Sequence, residues 1–204
     1  MISPTRVGAI AANTVREAIR NRILYALLFF GVMLIGIGIF VSTLSYVESE
    51  RILQSVGLAS IRLFGAAIAI FVGVGLIHQE VDRRTIFTIL SKPVSRTEFL
   101  LGKYLGLVAT LWMQVAIMAG AFVIVSLISR APLDAGHAAA IWLAAVELMV
   151  LVAVATLFSA FTTPMLASLF TAGVYVVGHV TRDLKELGAQ SEVASVEQAT
   201  SLLH

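Results

Sequence analysis

Five apolar blocks, parted by polar stretches, run along the 204-residue chain at 23–44, 58–77, 105–128, 137–161 and 164–180. A helix crosses a hydrocarbon core of about 30 Å with about 20 residues. Four blocks reach that length and the fifth is slightly short. The pattern predicts an all-α, polytopic bundle of five transmembrane spans, forming one domain over residues 1–204.

The polar stretches differ from one another. Residues 1–22 open on Ser3-Pro4, a cap followed by proline at the first helical position. Arg6, Arg16, Arg20 and Arg22 are mixed there with Val7, Ile10, Ala11, Val15 and Ile19. That mixture predicts an amphipathic helix on an anionic membrane face. Residues 45–57, with Glu48, Glu50 and Arg51, read as a polar loop. Arg62 then falls in the first turn of the second span, where its long side chain can reach the interface. Gly65, Ala69 and Gly73 recur every four residues and predict a face for close helix contact. Residues 181–204 read as an amphipathic tail with Val193, Val196 and Leu203 on one side.

The longest polar stretch between spans is 78–103, HQEVDRRTIFTILSKPVSRTEFLLGK. It predicts a short helix over 80–90, with Glu80 and Arg84 four residues apart and able to pair. Pro93 ends that helix. Ser95-Arg96-Thr97-Glu98 has the form of a capping box, which starts a second helix running into the third span. A partner protein or the lipid surface would each suit such a segment.

Composition agrees with the spans. Apolar residues make up 59% of the chain and charged residues 13%, against about a quarter charged in soluble domains. Lys and Arg gather on one side: Arg6, Arg16, Arg20, Arg22, Arg83, Arg84, Lys92, Arg96 and Lys103, against Arg51, Arg62 and Arg130, with Arg182 and Lys185 added by the tail. Positive residues favour the cytoplasmic side. The N-terminus is therefore expected in the cytoplasm and the tail outside.

The same residues narrow the chemistry. The chain has no cysteine, so disulfides and thiolate metal sites are excluded. His78 and Glu80 supply two ligands without a third, and no metal site is expected. No G-x-x-x-x-G-K-[ST] occurs, so no P-loop holds ATP here. No H-E-x-x-H or G-x-S-x-G signature supports catalysis. No cofactor and no nucleic acid partner are expected. Glu147, in the middle of the fourth block, is the sharpest single position. An ionised acid there costs roughly 2.5–3.5 kcal/mol unless it is paired or faces a polar path. It reads either as an interhelical hydrogen-bonder or as part of a translocation path.

The 78–103 stretch resembles the signature of ABC-2 transporter permeases. The matching residues are Glu80, Thr85, Leu90, Ser91, Lys92, Pro93, Val94, Arg96, Leu101, Gly102 and Lys103. Residues 157–179, LFSAFTTPMLASLFTAGVYVVGH, resemble a later region of the same family. The chain looks closest to permeases of multi-copper-enzyme maturation and nitrous-oxide-reductase assembly. The resemblance implies a bacterial cytoplasmic-membrane protein that pairs with a second permease subunit and works, as an exporter, with a separate ATP-binding subunit. It also implies that this subunit grips the 78–103 segment through Glu80, Asp82, Arg83, Arg84, Thr85, Phe87, Lys92, Pro93 and Arg96. Such permeases have six spans, and the sixth is missing from the pattern here. An ATP-independent channel or carrier and a non-transporting assembly factor are the competing readings.

Overall fold

The computed structural model describes residues 3–43, 49–82 and 95–181. Its helices are α1 (Pro4–Ile19), α2 (Arg22–Ser42), α3 (Ser49–Asp82), α4 (Arg96–Ile128), α5 (Ala135–Ser159) and α6 (Pro164–Thr181). Five of them, α2 to α6, are long and apolar enough to cross a membrane. The protein is thus an all-α polytopic bundle, as the block pattern predicts.

Local signals set the helix ends. Pro4 opens α1 after Ser3, which is extended. Asn21 starts α2, its side chain accepting from the Ile23 amide at 2.9 Å. Asp134 caps α5 and accepts from Ala135 N at 2.7 Å. His137 Nδ1 completes that cap by accepting from Asp134 N at 3.1 Å. Pro164 begins α6 after the turn at 160–163.

α3 has 34 residues and α4 has 33, so each is about 50 Å long at 1.5 Å per residue. Both overshoot a 30 Å hydrocarbon core. At the coupling end, which carries Asp82 and Arg96, they project past the start of α2. At the distal end α3 begins at Ser49, so residues 49–57 are helical rather than the loop the sequence suggests. The physical reason is an apolar side to those turns: Leu53 is buried, and Leu53 and Val56 lie against Gly38 of α2. Gln54 Nε2 also donates to the Pro132 carbonyl at 2.7 Å, tying this extension to the α4–α5 turn.

α3 forms the centre. More than half of its most apolar window is buried, against about a tenth for α6. Ile61, Ile68, Leu107, Leu111, Met118 and Leu148 join in one core cluster. The small-residue stripe meets α5 as expected: a Cβ on Gly65 would strike Leu148, and one on Gly73 would touch Ala155 at 3.9 Å. Glycine permits this approach, which gives helices in lipid their packing energy. Phe29, Phe30, Phe40, Leu127 and Trp142 lie exposed on the outside of the bundle, where lipid replaces water.

Candidate functional site

The end of the bundle that carries Asp82 and Arg96 is built by α1, α3 and α4. The predicted capping box is present: Ser95 Oγ accepts from Glu98 N at 3.2 Å, and Glu98 Oε2 accepts from Ser95 N at 2.9 Å. The other carboxylate oxygen accepts from Ser3 N at 2.7 Å. One buried carboxylate therefore fastens the start of α1 to the start of α4. A turn further on, Gly102 faces Val7 and Ile10, and Gly106 faces Ala11 and Thr14. The apolar stripe of α1 packs along these glycines, while Arg6, Arg16 and Arg20 remain on its exposed side.

Lys103 locks the third member in place. Its side chain is buried, and Nζ donates to the Leu76 carbonyl of α3 at 3.1 Å. Nζ also lies 3.4 Å from Glu17 Oε2 on α1. A buried ammonium is tolerated only when its donors and charge are met. Here the demands of one lysine hold three helices together. A force applied between α3 and α4 is thereby shared with α1.

A second polar set lies within the spans. Val74 on α3, Ala155 on α5 and Ala167 on α6 pack together. α6 turns back antiparallel to α3, so twelve residues before Val74 and twelve after Ala167 fall at one level, occupied by Arg62 and His179. Glu147 reaches the same place from α5, with Oε1 3.7 Å from His179 Nδ1. That contact is an ion pair when the imidazole is protonated. The Tyr175 ring stacks on His179 with centroids 4.5 Å apart, and its phenol lies within the field of both Glu147 and Arg62.

A family model described as "ABC-2 family transporter protein" matches residues 8–185. The chain belongs to the ABC-2 transporter family. It is a membrane transport component of that family, a multi-pass permease. No curated protein matches the chain. The family match does not single out the permeases of multi-copper-enzyme maturation or nitrous-oxide-reductase assembly.

The ABC-2 coupling residues inferred from sequence fall mostly outside the described residues: Arg83, Arg84, Thr85, Phe87, Lys92 and Pro93. Of Glu80, Asp82 and Arg96, only the backbone is described. Glu80 and Asp82 belong to the last turn of α3, so the helix expected over 80–90 does not begin separately at Glu80. Arg96 is the first residue of α4. The tail from residue 182 onward also lies outside the described residues. Among the described residues, no group of three His, Asp or Glu is placed to hold a metal.

The structure also brings together residues that the sequence reading kept apart. Arg62 lies well inside α3 and not in a first turn, because the helix starts at Ser49. His179 on α6 lies against Glu147 on α5, both side chains partly exposed. Tyr175 drew no attention in the sequence, although its spacing of four from His179 was the available signal. Glu17 was likewise overlooked as the partner of Lys103.

Proposed function

We propose that this permease is the membrane half of an ATP-driven exporter. A separate ATP-binding subunit docks on the 78–103 segment, and a second permease subunit completes the path. The residues that meet the ATPase are Glu80, Asp82, Arg83, Arg84, Thr85, Phe87, Lys92, Pro93 and Arg96. The protein lies in a bacterial cytoplasmic membrane with its N-terminus inside. Glu147 lines the translocation path, and alternating access arises from rigid movement of helix groups.

The observation that carries this reading is the three-helix stalk around Lys103. It joins the helices that lead into and out of that segment, and bracing of this kind suits a lever. Co-purification tests the reading. A candidate ATP-binding subunit is expected to be recovered with the wild-type chain and several-fold less with Glu80→Ala or Arg84→Ala. Equal recovery with both variants would contradict the docking surface.

A further inference from the structure

Between α3 and α6 runs an open apolar groove of about 400 Å³. Leu63, Ala66, Ile70 and Phe71 line it from α3, and Leu169 and Ala172 from α6. Tyr175 borders one end. Ala66 and Ile70 continue a stripe that begins with Arg62 one turn earlier, since residues four apart share a helix face. Arg62 therefore stands one turn beyond the Tyr175 end of the groove, which runs from there toward the end that carries Asp82 and Arg96.

Arg62, Glu147 and His179 share that level. Glu147 lies against His179 at 3.7 Å. Among the described residues, no carboxylate forms a salt bridge with Arg62. Arg62 is half-buried among the apolar residues of α3. A guanidinium within a span is costly unless an anion, a polar cavity or the interface meets it. Its planar fork of donors suits a carboxylate or a phosphate. Tyr175 brings a phenol to that end of the groove, and the rest of the wall is apolar except for Ser168.

We infer that Arg62, Tyr175 and the α3–α6 groove form a binding site for an anionic amphiphile. The acidic head lies at Arg62, and the hydrocarbon chain follows Ala66, Ile70 and Leu169 toward the coupling end. This deepens the reading of the Glu147 neighbourhood as the translocation path, and rests on it for the ligand's role as cargo. In that pose the head points away from the coupling end, the orientation of a molecule in the membrane leaflet remote from the ATPase. A free fatty acid and an anionic phospholipid share this chemistry.

Photolabelling of the purified chain in neutral detergent tests the site. The probe is a diazirine-bearing fatty acid, compared with the alcohol of the same chain length, and the labelled peptides are mapped by mass spectrometry. The acid is expected to label residues 63–71 and 165–175 at least tenfold more than the alcohol. Arg62→Gln removes that preference and Arg62→Lys restores part of it. Ala67→Trp, which fills the groove and leaves Arg62 in place, lowers labelling by the acid. Competition by an unlabelled fatty acid or by phosphatidic acid tells the single-chain source from the phospholipid. Equal labelling by acid and alcohol, unchanged in Arg62→Gln, means bulk lipid in the groove and overturns the inference. So does failure of both competitors, or protection of the groove by a second copy of the chain. Because no ATPase is present, loss of labelling overturns the ligand site alone, and failure of ATPase co-purification overturns the transporter reading alone.

Discussion

Lys103 Nζ lies 3.1 Å from the Leu76 carbonyl and 3.4 Å from the Glu17 carboxylate, with the lysine side chain buried. This lysine joins α1, α3 and α4 through one charged group. Lys103→Met keeps most of the stem volume and removes the donors. Glu17 is one-third exposed, so solvent screens part of the loss. A net cost of about 1–2 kcal/mol follows, within the range for hydrogen bonds to charged groups. Thermal unfolding in detergent should show it. The same variant is expected to lower stimulation of the ATP-binding subunit by the permease, because α1 no longer moves with α3. Unchanged stability and stimulation would mean that the lysine braces nothing.

Gly106 permits α1 to lie against α4. A Cβ there would fall 2.7 Å from the Ala11 carbonyl oxygen and 2.6 Å from Thr14 Cβ. Backbone cannot yield as a side-chain tip does. Gly106→Ala should therefore cost about 1–3 kcal/mol, as overpacking does, although alanine favours the helix itself. Gly8 is the internal control, because a Cβ at that position of α1 meets nothing within 4 Å. Gly8→Ala should be neutral or stabilising by up to about 1 kcal/mol. Thermal unfolding of the two variants side by side checks the difference in sign.

Arg130 ends α4 in the left-handed region, at φ 54°. The Ala131 amide donates back to Ser126 O at 2.9 Å, and the Arg130 amide to Leu127 O at 3.2 Å. This is the hydrogen-bond pattern of a helix stop that usually employs glycine. A side chain in that conformation costs about 1–2 kcal/mol. Arg130→Gly is expected to stabilise the protein by about 1 kcal/mol, after allowance for the greater freedom of glycine in the unfolded chain. A lower unfolding temperature for this variant would contradict the backbone argument.

The legible parts of this fold are those written in neighbouring residues. Ser95 and Glu98 announce a capping box because its chemistry closes within four positions. Gly65, Ala69 and Gly73 announce a contact face because their period matches the helix. The misreadings come where one residue type has two meanings. Glu50 and Arg51 read as part of a loop, yet charges also suit the outer side of a helix whose inner side is Leu53 and Val56. With α3 starting at Ser49, Arg62 lies thirteen residues into the helix, at the level of Glu147, a relation that spacing within one block does not reveal. Lys103 looks like an ordinary positive flank, since burial depends on α1 folding back across Gly102 and Gly106. The pairing of Glu147 with His179 depends on the antiparallel return of α6, which residue spacing alone does not encode.

The most direct measurement of the central claim is the sidedness of the segment between α3 and α4. The chain contains no cysteine, so a single Ser91→Cys substitution carries the only reactive thiol. A membrane-impermeant maleimide is applied to intact cells and then to permeabilised ones, with Leu133→Cys at the distal turn as the opposite control. The account predicts that Ser91→Cys is labelled only after permeabilisation and that Leu133→Cys is labelled in intact cells. Labelling of Ser91→Cys in intact cells would place the segment out of reach of any cytoplasmic ATPase and contradict the account.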